Sequence, residues 1–296
     1  MPVKKILICV DFSDITDSVI ETGRFLANLF DAEVKLLHVV EPPTPLFYEE
    51  GFEPLLTIDG VEIVVNVEKA LKEEAKEKLE KYVEKFGEKA NYSVEIGDIA
   101  ETILEKSDEE KVDLVIIGSH QKGLIEKLLI GSITEKVVNK ARTSVLVVKG
   151  EPLKEINKIL VGYDFLPNSI EALEFAKDIA SRAKSIIEIV HIDSDQWFAH
   201  LAHVHEEVLE KKKRLLEEVK QKIEKETGLK VEIDLEKGEV DSLLIEKIKE
   251  KNPDLVVVGK RKGKKIKRIF LGRTAMKVVR NSEKPVLIVR KREEGE

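Results

Sequence analysis

The chain has 296 residues, 42% of them hydrophobic and 36% charged. That length exceeds one ordinary domain, and that apolar share can bury two cores, so two domains of about 150 residues are expected. A net charge of −7 argues against a general nucleic-acid coat, the single Cys9 excludes an internal disulfide, and no apolar run approaches a membrane span.

In chain order, Ile6 to Val10 is apolar and short enough for a buried strand, ended by Asp11. Cys9 within it reads as an inert core thiol. Met1 to Lys5 lacks the pattern of a secretion signal, so a cytoplasmic protein is expected. Ser13 is placed to cap a helix running to Phe30, and Val34 to Val40 forms a second strand with His38 near its end. Residues 41–66 open with Pro42, Pro43 and Pro45 and carry an apolar patch at Val61 to Val65. A Lys- and Glu-rich helix from Val67 to Phe86 follows, its exposed faces tied by i,i+4 pairs. Next come a strand at Tyr92 to Ile96, a Gly97-Asp98 turn, and a helix from Ile99 to Glu109.

Val112 to Ile117 is a β-branched apolar run, read as an inner strand of a parallel sheet. It ends at Gly118, and a loop containing Gly123 leads to Gly131-Ser132, where a helix begins before a last strand at Ser144 to Val148. A strand, a glycine-marked loop and a helix N-terminus together suit anion capture, because the first helical turn presents unpaired N–H groups and the positive end of the dipole. The order βαβ-αβαβαβ predicts a doubly wound α/β unit of five strands.

The pattern then repeats. Asp164 follows Asp11, and His191 follows His38, by 153 residues; Gly238, Gly259 and Gly272 follow Gly97, Gly118 and Gly131 by 141. The first copy therefore has twelve extra residues, placed by this reading in an insertion at 41–66 that suits a lid, a partner contact or a loop packed on the neighbouring domain. Gly150 to Asn157 reads as a short linker, giving domains at 1–150 and 157–292, and Asn168 with Glu171 as a capping box for the second copy's first helix.

Strand–Asp, strand–His-Val-Val, then strand–Gly with a Gly-Ser thirteen residues on and a Val-Leu-Val-Val finish resembles the universal stress protein family, twice over in one chain. The resemblance implies two tandem Rossmann-like five-stranded parallel sheets of strand order 3-2-1-4-5, packed as a pseudo-dimer through their last strands. It implies a ligand crevice between strands one and four at their carboxyl ends. Nucleotide-binding members carry Gly-x-x-Gly, nine residues, then Gly-Ser or Gly-Thr. Carried over by position, Asp11 and Val39 would hold the base of ATP or another adenine nucleotide, Gly118, Gly131 and Ser132 the sugar and phosphates, with Gly97 bordering the pocket and Mg²⁺ accompanying the nucleotide. The second loop glycine is replaced by Gln121, as in the branch that does not bind ATP. In the second copy Lys262 replaces that glycine and Arg273, followed by Thr274, the serine; these cations could bind a phosphate through their side chains or fill the site with help from Asp164, and a degenerate site is the expected reading.

The resulting expectation is a stress-response binding protein, more a binder than an enzyme. Its rivals are a nucleotide-free interaction scaffold with plugged sites, open to a homodimer or a protein partner, and a slow nucleotide hydrolase for which His120 is the nearest general base. Residues 260–268 hold seven cations in nine positions, but without interleaved aromatics a solvated loop is expected rather than a nucleic-acid site. His200 and His203 share a helical face and are candidate metal ligands; solvent-facing histidines are the expected reading. Trp197 reads as interface or core filler.

Overall fold

The computed structural model describes residues 3–42, 58–119, 130–194, 202–260 and 271–290, with side chains from residue 65 in the second segment and from 206 in the fourth. The first half contains β1 (Lys5–Cys9), α1 (Thr16–Phe30), β2 (Glu33–Val40), α2 (Ile58–Val83), β3 (Ala90–Ile96), α3 (Ile99–Glu109), β4 (Leu114–Gly118), α4 (Ser132–Lys140) and β5 (Ser144–Val148). The second contains β6 (Lys158–Gly162), α5 (Pro167–Ala183), β7 (Ile186–Asp193), α6 (Ala202–Thr227), β8 (Val231–Lys237), α7 (Val240–Lys251), β9 (Leu255–Gly259), α8 (Arg273–Asn281) and β10 (Val286–Val289).

The strands form one sheet in the order β3-β2-β1-β4-β5-β10-β9-β6-β7-β8. Each half is parallel within itself and has the expected order 3-2-1-4-5. The two last strands join antiparallel, with Val286, Leu287 and Ile288 opposite Val147, Leu146 and Val145, so the pseudo-dimer is a continuous mixed sheet. Central strands are apolar on both faces because helices cover both: Leu114, Val115, Ile116 and Ile117 are all buried. Burying such a side chain contributes roughly 1.5–3 kcal/mol relative to leaving it in water.

Two helical layers follow from the helix periodicity. On one face, α1 turns Val19, Ile20, Leu26 and Phe30 inward, joined by Leu79 of α2, Phe175 and Ile179 of α5, and Leu216 and Ile223 of α6. On the other lie Ile103 of α3, Val137 and Val138 of α4, Leu244 and Ile248 of α7, and Val278 and Val279 of α8. The linker docks into the first layer, with Leu153 and Ile156 buried and the Leu153 N–H donating to Thr22 Oγ1 at 2.9 Å.

Several local expectations are corrected. Helix α2 begins at Ile58, so the patch Val61 to Val65 is helical; β-branched residues there disguise a helix continuous with its Lys/Glu-rich half. The halves also differ after this helix: 84–89 separates α2 from β3, whereas 228–230 separates α6 from β8, so not all extra residues lie before Asn66. Ser13 does not cap α1: Ile15 holds the N-cap position, and the Ser13 hydroxyl donates to Asp11 instead. Nor do Asn168 and Glu171 form a capping box, because Pro167 starts α5 earlier, with Leu166 at the N-cap and no side-chain cap.

Candidate functional site

The carboxyl ends of β1, β2 and β4 and the start of α4 converge in the first half, as the topology requires for a crevice where strand order reverses. Asp11 leaves β1 and folds its carboxylate back: Oδ1 accepts from Ser13 N–H at 3.1 Å, Ser13 Oγ at 2.6 Å and Thr16 Oγ1 at 3.1 Å. This turn puts Phe12 at φ 57°, an uncommon conformation for a bulky residue. Its ring lies 4.5 Å from that of His38, with Lys78 of α2 5.1 Å from the ring centroid. His38 pairs through Nδ1 with the Val10 carbonyl at 2.8 Å. Burial lowers the His38 pKa, with Lys78 adding to the effect and Val10 and Asp11 opposing it, so the neutral imidazole is favoured.

The Val39 side chain is buried in the α3–α4 layer, so its backbone must be the part available to a ligand. Leu37 accepts the Val10 N–H on the β1 side, and Val40 accepts the Gly97 N–H on the β3 side at 3.1 Å. Alternation therefore turns the N–H and C=O of Val39 toward β1, beyond Cys9, the last β1 residue in the ladder. Gly97 forms the turn into α3, whose N-cap Asp98 accepts the Glu101 N–H at 2.9 Å and lies 3.6 Å from Lys136 of α4. The Cys9 thiol is pushed up by burial and then by the Asp11 charge, which keeps it a protonated, unreactive group.

Gly118 is a packing glycine: a Cβ there would sit 2.9 Å from Ile15 Cγ2. Its carbonyl accepts Thr134 Oγ1 at 2.9 Å, tying β4 to the first turn of α4. Gly131, by contrast, is the N-cap of α4 with φ −61°, and a Cβ there would meet nothing within 4 Å among the described residues. Gly131 and Ser132 are both exposed, at the positive end of the helix. The structure thus gathers Asp11, Val39, Gly97, Gly118, Gly131 and Ser132 around the ends of the same strands and helices. Gln121, His120, Gly123, Lys262, Trp197 and the side chains of His200 and His203 lie outside the described residues, among which no His, Cys, Asp or Glu group could hold a metal ion.

The universal stress protein family model matches residues 2–149 and again 155–290. The chain belongs to the universal stress protein family. It carries the family's domain twice, in tandem. Universal stress protein MJ0577 of Methanocaldococcus jannaschii is 34% identical over 154 residues, covering 49% of this chain and 94% of that protein. A universal stress protein of Mycolicibacterium smegmatis is 25% identical over 292 residues and covers 97% of both chains. In structure, a universal stress protein from Archaeoglobus fulgidus superposes with a TM-score of 0.71 at 22% identity, over 99% of this chain and 100% of that one, which shows the shared fold.

The two universal stress protein halves differ at their crevices. In the second, a Cβ on Gly259 would sit 2.3 Å from the Asn168 carbonyl oxygen, because α5 starts at Pro167 and lays its first turn over the end of β9. Arg273, expected to fill the site with help from Asp164, pairs with Asp241 instead, and Thr274 joins it there. Arg273 Nε lies 2.9 Å from Asp241 Oδ2, and Thr274 Oγ1 donates to Oδ1 at 2.5 Å. The Asp164 carboxylate instead accepts the Leu166 N–H at 3.0 Å. Asp241 has no counterpart charge in the first copy, where Ala100 stands 141 residues earlier, so comparing the copies position by position would have flagged it.

Sequence reading also missed the cations at the junction. Lys260, the first residue of the basic run, is buried and donates to the Val138 and Ala141 carbonyls at 2.7 and 2.9 Å. It is an internal contact and no part of a solvated loop. A cleft of about 930 Å³ around Lys149 includes Ser119, Leu153, Asp254, Arg280 and Lys284 in its walls and none of the site residues expected from the sequence. Arg280 there is engaged by Glu135 at 2.7 Å, and Asp254 by the N–H groups of Asn157 and Lys158. These wall groups serve the architecture.

Proposed function

We propose that this tandem universal stress protein binds one adenine nucleotide, ATP or a close relative, in its first half, as a stress-response binding protein that holds the ligand without turning it over. The observation that carries this reading is the contrast at the two equivalent helix starts. Gly131 and Ser132 are exposed and no described residue stands over Gly131, whereas Arg273 is committed to a buried carboxylate. In the first half, the unpaired N–H groups at the start of α4 suit phosphate oxygens. The turned-out N–H and C=O of Val39 suit the edge of a base, and Asp11 shapes the turn that leaves them open. Mg²⁺ would arrive as the counter-ion of the phosphates. The neutral His38, held by Val10, faces Phe12 and is no candidate base for a water at the phosphate end.

Calorimetry of the intact chain with Mg·ATP tests the reading. Saturable binding at about one site, weakened in Ser132→Ala, is the expected result. No binding by the wild-type chain, followed by binding in Gln121→Gly, would mean that the first site is plugged as well and would favour the scaffold. Phosphate release that vanishes in Asp11→Ala and Ser132→Ala would instead identify a hydrolase.

A further inference from the structure

The second half keeps the helix start of the first and sets a carboxylate against it. Asp241 is the second residue of α7, and its side chain is fully buried between α7 and α8. Among the described residues, the first turns of α8 supply its polar partners: Thr274 Oγ1 on Oδ1 at 2.5 Å, and Arg273 Nε and Lys277 Nζ at 2.9 and 3.1 Å from Oδ2. Lys277 also lies 3.8 Å from Glu239. Burying a lone carboxylate costs several kcal/mol, so the position is tenable only because two cations and a hydroxyl surround it. Burial opposes the charge, yet Thr274, Lys277 and Arg273 together hold the Asp241 pKa below its ordinary value. Ala100, its counterpart, is equally buried and brings no charge to α4. Arg273 covers the carboxylate, with its side chain 78% exposed.

We propose that Asp241 is a built-in anion. It takes up, from within the chain, the cationic and hydroxyl donors at the start of α8 that would otherwise receive a phosphate group, and so it closes the second half to phosphate-bearing ligands. The Ala100/Asp241 difference is then the determinant of which half is open. This rests on reading the start of α4 as the phosphate end of the first site. The second half holds a latent oxyanion site formed by Arg273, Thr274 and Lys277, released when the carboxylate is removed.

The test uses the full chain in a Ser132→Ala background, so that the first half contributes little, with inorganic phosphate titrated by calorimetry. Asp241→Ala, which installs the residue found in the first half, is expected to bind phosphate at least about tenfold more tightly than the parent, and adding Arg273→Ala should abolish the gain. Asp241→Asn keeps the shape and the acceptor for Thr274 while removing the charge, and it carries the test if the alanine variant does not fold. A folded Asp241 variant with parental phosphate affinity overturns the proposal, as does a gain that persists without Arg273. Failure of the wild-type chain to bind ATP would sink only the first-half reading.

Discussion

Lys149 and Arg290 occupy equivalent positions, one after each half's last strand, and each caps a helix of the opposite half. Lys149 Nζ donates to the Val279 carbonyl at the end of α8, and Arg290 Nη1 donates to the Ala141 carbonyl at the end of α4, at 3.0 Å. The last carbonyls of a helix have no partners of their own and carry the negative end of its dipole, so a buried cation there satisfies both. Lys260 adds a third such contact, on the first half only, since its counterpart is Ser119. The antiparallel join of β5 and β10 is thereby reinforced by charge on both sides.

This arrangement predicts an alkaline rise in stability. Burial lowers the Lys149 pKa to about 8, and burial followed by the Arg290 charge lowers that of Lys260 to about 7. Unfolded lysine titrates near ~10.4, so between about pH 7 and 10 the unfolded chain binds protons that the native chain does not, and these two groups make stability increase with pH. Lys260→Met should flatten that slope and, by leaving two carbonyls without their donor, cost about 1–3 kcal/mol near neutral pH. Urea midpoints of both proteins at pH 7, 8.5 and 10 check it; parallel profiles would show that Lys260 does not titrate in this window.

The fold was legible because its signals are local and repeated. Inner strands such as Leu114 to Gly118 are too short and β-branched to be read otherwise, and two copies fix the spacing of Asp11, His38, Gly118 and Gly131 against their counterparts. The Ala100/Asp241 difference could be read from the two copies, but the partners of Asp241 and Lys260 could not, because nothing beside them in sequence announces them: Asp241 meets Arg273, and Lys260 meets Ala141, only after the sheet has assembled. The helical start of α2 was hidden for a different reason, since a Val/Ile run carries strand propensity that packing overrides.

The two strand-end glycines should respond unequally to alanine. At Gly118 the new methyl meets the flexible ends of Ile15 and Val19 at 2.9 and 3.1 Å, whereas at Gly259 it meets the Asn168 backbone at 2.3 Å and the Ser169 nitrogen at 2.9 Å. Side chains can shift but the first turn of α5 must move as a body, so Gly118→Ala should cost about 1 kcal/mol and Gly259→Ala about 3 kcal/mol or more. Thermal unfolding of the single variants decides, and equal losses would contradict the close approach of α5 to β9.

Asp11 is predicted to act through the turn as much as through any ligand. Its Oδ1 gathers the Ser13 N–H and the hydroxyls of Ser13 and Thr16 ahead of α1. Asp11→Ala should therefore lose about 0.5–2 kcal/mol of stability, the usual scale for a lost helix-start acceptor, and weaken nucleotide binding as well. Asp11→Asn retains an acceptor oxygen and should recover most of the stability. If the asparagine variant matches alanine in chemical unfolding, the carboxylate charge, and not the turn geometry, supports this end of β1.

The acid limb of the stability profile should carry the signature of Glu110. In the first half Glu110, just after α3, is held by Lys35 of β2 and by Lys5 of β1, the latter at 2.7 Å; the second half has the charges exchanged, with Glu188 on β7 meeting Lys251 at 2.9 Å. Hydrogen bonds from Lys35 and then Lys5 lower the Glu110 pKa to about 2. An unfolded glutamate titrates near ~4.3, so the stabilisation is complete above that pH and is lost as pH falls toward 2. Glu110→Gln should lower stability at pH 6 and differ progressively less from wild type as the pH drops, because the native carboxyl becomes neutral too. A difference that stays constant between pH 6 and 2 would assign the loss to packing around Lys5 and Lys35, with no contribution from the charge.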